Sequence, residues 1–232
     1  AAVAALSALV FCAPLTAQPP ALAAAASSVV AADYAGTMTL NVDLTDLDRR
    51  IFNVRQSIPV TAGPLKLWYP QWLPGNLAPR GPIDTLAGLL VSTTLDGKAQ
   101  RLEWQRDPLD IYAFNLVVPA GATQLDVRFQ VLTPATREQG RVVVTPEIVG
   151  LQWNTVVLYP ASRSMTNTLV QANITLPPDW DAATALSELT RSGDLISYDP
   201  VPLETLVDSP VFAGKHFRKV TLGDFTGAKV RL

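Results

Sequence analysis

Three segments of the chain alternate strictly between apolar and polar residues. In TMTLNVDL, Met38, Leu40, Val42 and Leu44 fall on one face. In TQLDVRFQVL the matching set is Leu125, Val127, Phe129 and Val131, and in LVQANITL it is Val170, Ala172, Ile174 and Leu176. A period of two puts every second side chain on the same side of a β-strand, so each segment has one face for a core and one for water. That is the pattern of antiparallel sheets covered on one side. Further strands are expected at residues 50–58, 64–69, 88–95, 100–105, 110–118, 141–145, 151–159, 195–198 and 212–222. Turn signals separate them at short intervals: LDGKA, VPAGAT, LPPDW and RSGD. Many short strands so spaced imply an all-β chain, an antiparallel β-sandwich or a related open β architecture. Helical signals are few. Residues 181–190, DAATALSELT, are expected to form one or two helical turns behind Asp181 as cap, and residues 83–90 to begin as a helical turn before becoming a strand.

The first 32 residues are of another kind: alanine-rich and without charge up to Asp33. Residues 1–26 are expected to be a secretory signal peptide, with small residues suited to cleavage near Ala24 to Ala26. Pro14, Pro19 and Pro20 interrupt the stretch before the ~20 apolar residues of a membrane span accumulate. The expected organisation is therefore a leader at 1–26 and one β domain over 33–232, with no membrane association once the leader is removed. Cys12, the only cysteine, lies in the leader. The mature chain then has no disulfide and no thiolate chemistry, and must rest on its apolar core. Export without disulfides fits a bacterial periplasm or exterior.

Composition excludes several functions. A net charge of −2 provides no basic field for nucleic acid. His216 is the only histidine, and a zinc site draws three or four ligands mainly from His, Cys and carboxylates. No metal ligand set and no catalytic residue is therefore expected within this chain. Neither HExxH, GxSxG nor a phosphate-binding glycine loop occurs. Glycoside hydrolysis needs only two carboxylates and no local motif, so a self-standing sandwich that binds or cleaves carbohydrate stays open as an alternative.

YPQWLPGNLAPRGP, residues 69–82, combines four prolines and two glycines with Trp72 and Arg80 directly after an apolar strand. Proline removes a backbone donor and fixes φ, so the stretch is neither helix nor central strand. Pro74-Gly75 is a favoured turn pair and gives Trp72 a rigid frame. The loop either borders a cleft shared with another domain or plugs the end of the sandwich. Arg80 has Asp84, or a carboxylate across an interface, as its available partners.

YPQWLPGN, APRGPID, DPLDIYAF, TPEIVGLQWNTVVLYP and LVDSPVFAGKHF together resemble the N-terminal domain of the glycyl aminopeptidase family of zinc metallopeptidases, whose members often carry a PDZ domain. The resemblance runs from about residue 34 to Leu232. It implies a saddle-like β domain as in aminopeptidase N-type enzymes. It also implies that zinc and the HExxH helix belong to a thermolysin-like catalytic domain downstream of GAKVRL, the partner of this one, and that peptide substrates are met only by the full enzyme. Glu147, Gln152 and Asn154 are the polar groups of TPEIVGLQWNTVVLYP. The resemblance makes them candidates for binding the free amino terminus of a peptide. The alternative has Gln152 and Asn154 pointing to solvent from a strand with Trp153 inward. Trp72, Pro74, Gly75, Arg80 and Phe212 are the candidates for the interface with the catalytic domain.

Overall fold

The computed structural model describes residues 36–72, 78, 79, 81–135, 143–225 and 228–231, with backbone only from 221 onward. Its strands in chain order are β1 (Thr37–Asp43), β2 (Ile51–Pro59), β3 (Gly63–Trp68), β4 (Leu86–Leu95), β5 (Lys98–Leu102), β6 (Trp104–Arg106), β7 (Ala113–Val118) and β8 (Gln124–Leu132). They continue as β9 (Val143–Val144), β10 (Ile148–Leu151), β11 (Tyr159–Pro160), β12 (Leu169–Thr175), β13 (Asp181–Ala183), β14 (Glu188–Ser192) and β15 (Leu195–Tyr198). β16 (Val201–Pro202), β17 (Val211–Gly214), β18 (Thr221–Phe225) and β19 (Ala228–Arg231) complete the set, and α1 (Leu203–Val207) is a helix of little more than one turn.

The large sheet has the order β14-β15-β12-β1-β2-β8-β4-β5, with β16 also on β12. All its pairs are antiparallel except β1 with β12. Two four-stranded sheets, β13-β17-β10-β9 and β11-β3-β7-β6, lie against it, and β18 pairs β19 separately. The three alternating segments are β1, β8 and β12, and each apolar face named from the sequence is buried. These residues join Phe52, Val54 and Ile58 of β2 in one core with Leu67, Phe114, Val149, Leu151 and Trp153 from the small-sheet side. The LDGKA hairpin is tight: Asp96 and Gly97 have φ of 50° and 74°, the left-handed pair of a two-residue turn joining β4 to β5.

Several expectations are corrected. Residues 181–190 form no helix. Asp181–Ala183 is a strand on β17, and Glu188–Ser192 is a strand on β15. Edge hydrogen bonds to two existing strands outweigh the weak preference of alanine for helix. Residues 151–159 are not one strand. Leu151 ends β10, Trp153–Thr155 is a 3₁₀ turn, and Tyr159 begins β11. Residues 212–222 are likewise broken, with His216 in an exposed turn between β17 and β18. α1 was not expected. Residues 83–85 do form a 3₁₀ turn that runs into β4.

Candidate functional site

Two of the singled-out motifs meet at Tyr69. β3 leads into this buried residue, whose backbone N–H donates to the Tyr112 carbonyl at 2.9 Å. Its hydroxyl lies 3.4 Å from the carbonyl oxygens of both Pro82 and Thr155. It thus touches the far end of the proline-rich loop and the 3₁₀ turn Trp153–Thr155 at once. Burial is the main influence on the phenol and holds its pKa well above that of free tyrosine, so it stays a neutral donor.

The loop is pinched at its base. Gly81 N–H donates to Gln71 O at 3.0 Å, and Trp72 bridges Pro79. A side chain on Gly81 would run into the Pro70 carbonyl oxygen, so no other residue fits there. Beyond the pinch, Trp72 is 58% exposed. The ring does not plug the sandwich. Pro74, Gly75 and Arg80 lie outside the described residues.

The 3₁₀ turn is anchored from within. Trp153 is fully buried, donates from Nε1 to Ser209 O at 2.8 Å and meets Tyr198 edge-on at 6.2 Å. Thr155 closes the turn onto Gln152 O through its N–H at 3.0 Å and its hydroxyl at 2.7 Å. Just beyond, the Gln56 amide on β2 donates to Leu158 O and accepts from Leu158 N at 3.1 Å. Gln152 is half-buried and Asn154 is buried. Among the described residues neither side-chain amide has a hydrogen-bond partner, and Asn154 is 4% exposed. The two sit on a turn and not on an exposed strand face, so simple solvent exposure along a strand does not describe them.

Glu147 is exposed, in the turn Thr145–Ile148 ahead of β10. Its N–H donates to the Thr145 hydroxyl oxygen at 3.2 Å, and its carbonyl accepts from Lys215 N–H at 3.0 Å. Phe212, on the neighbouring β17, is 56% exposed. Register pairs Ile148 with Gly214 and Gly150 with Phe212, so Ile148, Gly150, Phe212 and Gly214 share the outer face of this sheet. With Val143 and Ala183 they make an apolar face interrupted by two glycines, while Val149, Leu151, Val211 and Ala213 fill the core behind it. Sequence reasoning did not single out Tyr69, Gln56 or Ile148. Only an intact register could have revealed Ile148, and nothing local marks Gln56.

Among the described residues no three His, Cys, Asp or Glu side chains gather to hold a metal ion. No helix among them is long and apolar enough to cross a membrane.

The fold and the sequence together define the N-terminal β domain of a peptidase. Residues 39–215 match the Peptidase M61 N-terminal domain, and the chain belongs to that family. Its fold is similar to that of an aminopeptidase N family protein from Idiomarina loihiensis, with a TM-score of 0.69 at 18% identity over 84% of this chain and 32% of that one. A yeast LTA4 hydrolase matches with a TM-score of 0.49 at 11% identity, over 81% of this chain and 29% of that one. An M1 zinc metallopeptidase from Deinococcus radiodurans matches with a TM-score of 0.44 at 13% identity, over 84% and 45%. The chain thus spans about a third of the Idiomarina protein and less than half of the others. No curated protein matches it in sequence.

Proposed function

We propose that this domain is the noncatalytic wall of a secreted or periplasmic zinc metalloaminopeptidase, bordering an active-site cleft whose zinc belongs to a downstream catalytic domain. The carrying observation is the turn Gln152–Thr155, which a buried tryptophan and two bonds from Thr155 hold rigid while it keeps two amides without partners among the described residues. An unpaired amide at a partly dry site is costly to leave unsatisfied, so a ligand that supplies the missing partner gains by it. The side-chain carbonyls of Gln152 and Asn154 accept hydrogen bonds from the protonated amino terminus of a peptide. The exposed carboxylate of Glu147 adds negative charge at the other end of β10. Trp72 and the apolar face around Phe212 pack on the catalytic domain.

The role of this domain in the reaction is binding and orientation. Fixing the amino terminus sets which peptide bond lies over the metal, and a small misplacement there lowers rate as well as affinity. The test is kinetic, on the chain joined to or mixed with its catalytic domain. Asn154→Ala and Gln152→Ala are expected to raise KM for glycyl and alanyl substrates while leaving N-blocked peptides unaffected. The chain alone is expected to show no turnover with added zinc. Equal effects on free and blocked peptides would overturn the assignment.

A further inference from the structure

On the side of the large sheet away from the small sheets, the outward rows are polar. Register aligns Asn173 of β12, Asn41 of β1, Arg55 of β2, Arg128 of β8 and Leu90 of β4 in one row. The next row is Thr175, Asp43, Asn53 and Gln130. All of these but Asn173 line a groove of about 820 Å³ that also reaches Gly88 at the β4 bulge. Amide chains cross it. Asn173 Nδ2 donates to Asn41 Oδ1, Gln171 Nε2 to Asn173 Oδ1 and Gln130 Nε2 to Asn53 Oδ1, each at 2.9 Å.

Arg55 and Arg128 are the anomaly. They stand directly opposite each other on two central strands, where like charges are destabilising. Neither guanidinium has an ion-pair or hydrogen-bond partner among the described residues. Asp43 is the lining carboxylate, and its Oδ1 already accepts from Thr45 N and Oγ1 at 2.9 and 2.7 Å. Asp126, beside Ser57 in the row beyond, accepts from Gln124 at 3.4 Å. The ten N–H donors of the two guanidinium groups (five on each arginine) are thus without a partner among the described residues.

We propose that this groove binds an extended acidic peptide, with a carboxylate held between Arg55 and Arg128. Two forked guanidinium groups side by side match carboxylate geometry. The row of five strands spans about 19 Å at ~4.8 Å per interval, room for about six residues of extended chain. Asn41, Asn53, Gln130 and Asn173 both donate and accept, which suits a peptide backbone. Single-stranded nucleic acid is bound on aromatic platforms, and no aromatic ring projects from these rows. The proposal is independent of the peptidase reading, because the groove and the Gln152 turn lie on opposite sides of the large sheet.

The experiment is fluorescence anisotropy on the full chain, with labelled hexaglutamate and hexaglutamine peptides and a labelled six-nucleotide DNA. Hexaglutamate is expected to bind, more weakly as salt rises, and hexaglutamine to fail. Arg55→Gln/Arg128→Gln should weaken hexaglutamate binding about tenfold or more, as loss of charge-assisted bonds predicts. Its thermal midpoint should not fall, because a repulsion is removed. Arg55→Lys/Arg128→Lys keeps the charge and should bind at an intermediate level, and Leu109→Gln, an exposed position on the turn between β6 and β7, should bind as wild type. Equal binding of both peptides, wild-type affinity in the Gln variant, or DNA binding without peptide binding would overturn the proposal.

Discussion

Gln56 is a polar side chain at an apolar address. It points inward from β2 in the row of Phe52, Val54 and Ile58, and it is buried. Its amide acts there as a piece of backbone. It satisfies both the N–H and the C=O of Leu158, which lies between sheets with no strand to pair it. Replacing it with leucine keeps the volume and orphans two backbone groups, each costing about 1–3 kcal/mol. Gln56→Leu is therefore expected to destabilise the domain by about 2–5 kcal/mol, read as a lower urea midpoint at unchanged slope. A loss below about 1 kcal/mol would mean that water reaches Leu158.

At the scale of elements, the turn between β6 and β7 is organised by one carboxylate. Asp107 Oδ1 accepts from the N–H groups of Leu109 and Asp110 at 3.0 and 3.3 Å, and Oδ2 from Lys66 Nζ and Asn115 Nδ2 at 2.9 and 3.1 Å. The Lys66 hydrogen bond first, then the Leu109 N–H and Asn115, hold its pKa well below the ordinary carboxylate range. A depressed folded-state pKa stabilises the fold above the unfolded value of about 3.9, and that stability is lost as pH falls below it toward the folded value. Acid titration of the thermal midpoint should show this loss below about pH 4, and Asp107→Asn should flatten it. The same scale explains what could be read beforehand. β1, β8 and β12 were legible because each has one wet face and one dry face, which writes a period of two into the chain. Val156, Val157 and Leu158 have no wet face, since they run between the sheets, and an apolar run of that kind looks the same as strand or loop. The helix expected behind Asp181 failed for another reason. Asp181 is held by Arg191 at 2.8 Å and Lys219 at 3.0 Å, which come from other strands and segments that no local pattern reveals. Gln152 and Asn154 stand out in the sequence by their polarity within an apolar stretch, while the anchoring Trp153–Ser209 bond joins residues 56 positions apart and leaves no local mark.

For the molecule as a whole, the apolar outer face of β9, β10 and β17 departs from a solvated sheet. Ile148 and Phe212 are 54% and 56% exposed, diagonal to each other in the register and each opposite a glycine that adds no cover. An exposed patch of this kind marks an interaction site or an aggregation liability. The isolated chain is expected to self-associate as its concentration rises, and Ile148→Asp/Phe212→Asp to remain monomeric with the same β-rich circular dichroism. Light scattering on both decides it. A wild-type chain that stays monomeric at millimolar concentration would show that this face is tolerated in water and has no neighbour to meet.

The parallel pairing of β1 with β12 also bears on time. Thr37 is joined to Leu169, so the neighbour on one side of the first strand is made 132 residues after it, while β2 on its other side follows at once. A chain that emerges from its amino end, from a ribosome or through a membrane pore, can form the β1-β2 hairpin early. It must then hold an open, hydrogen-bonding edge until more than a hundred further residues have arrived. At a synthesis rate of about 5–20 residues per second that wait lasts on the order of ten seconds. Throughout it, the half-made sheet is exposed to any other strand that passes.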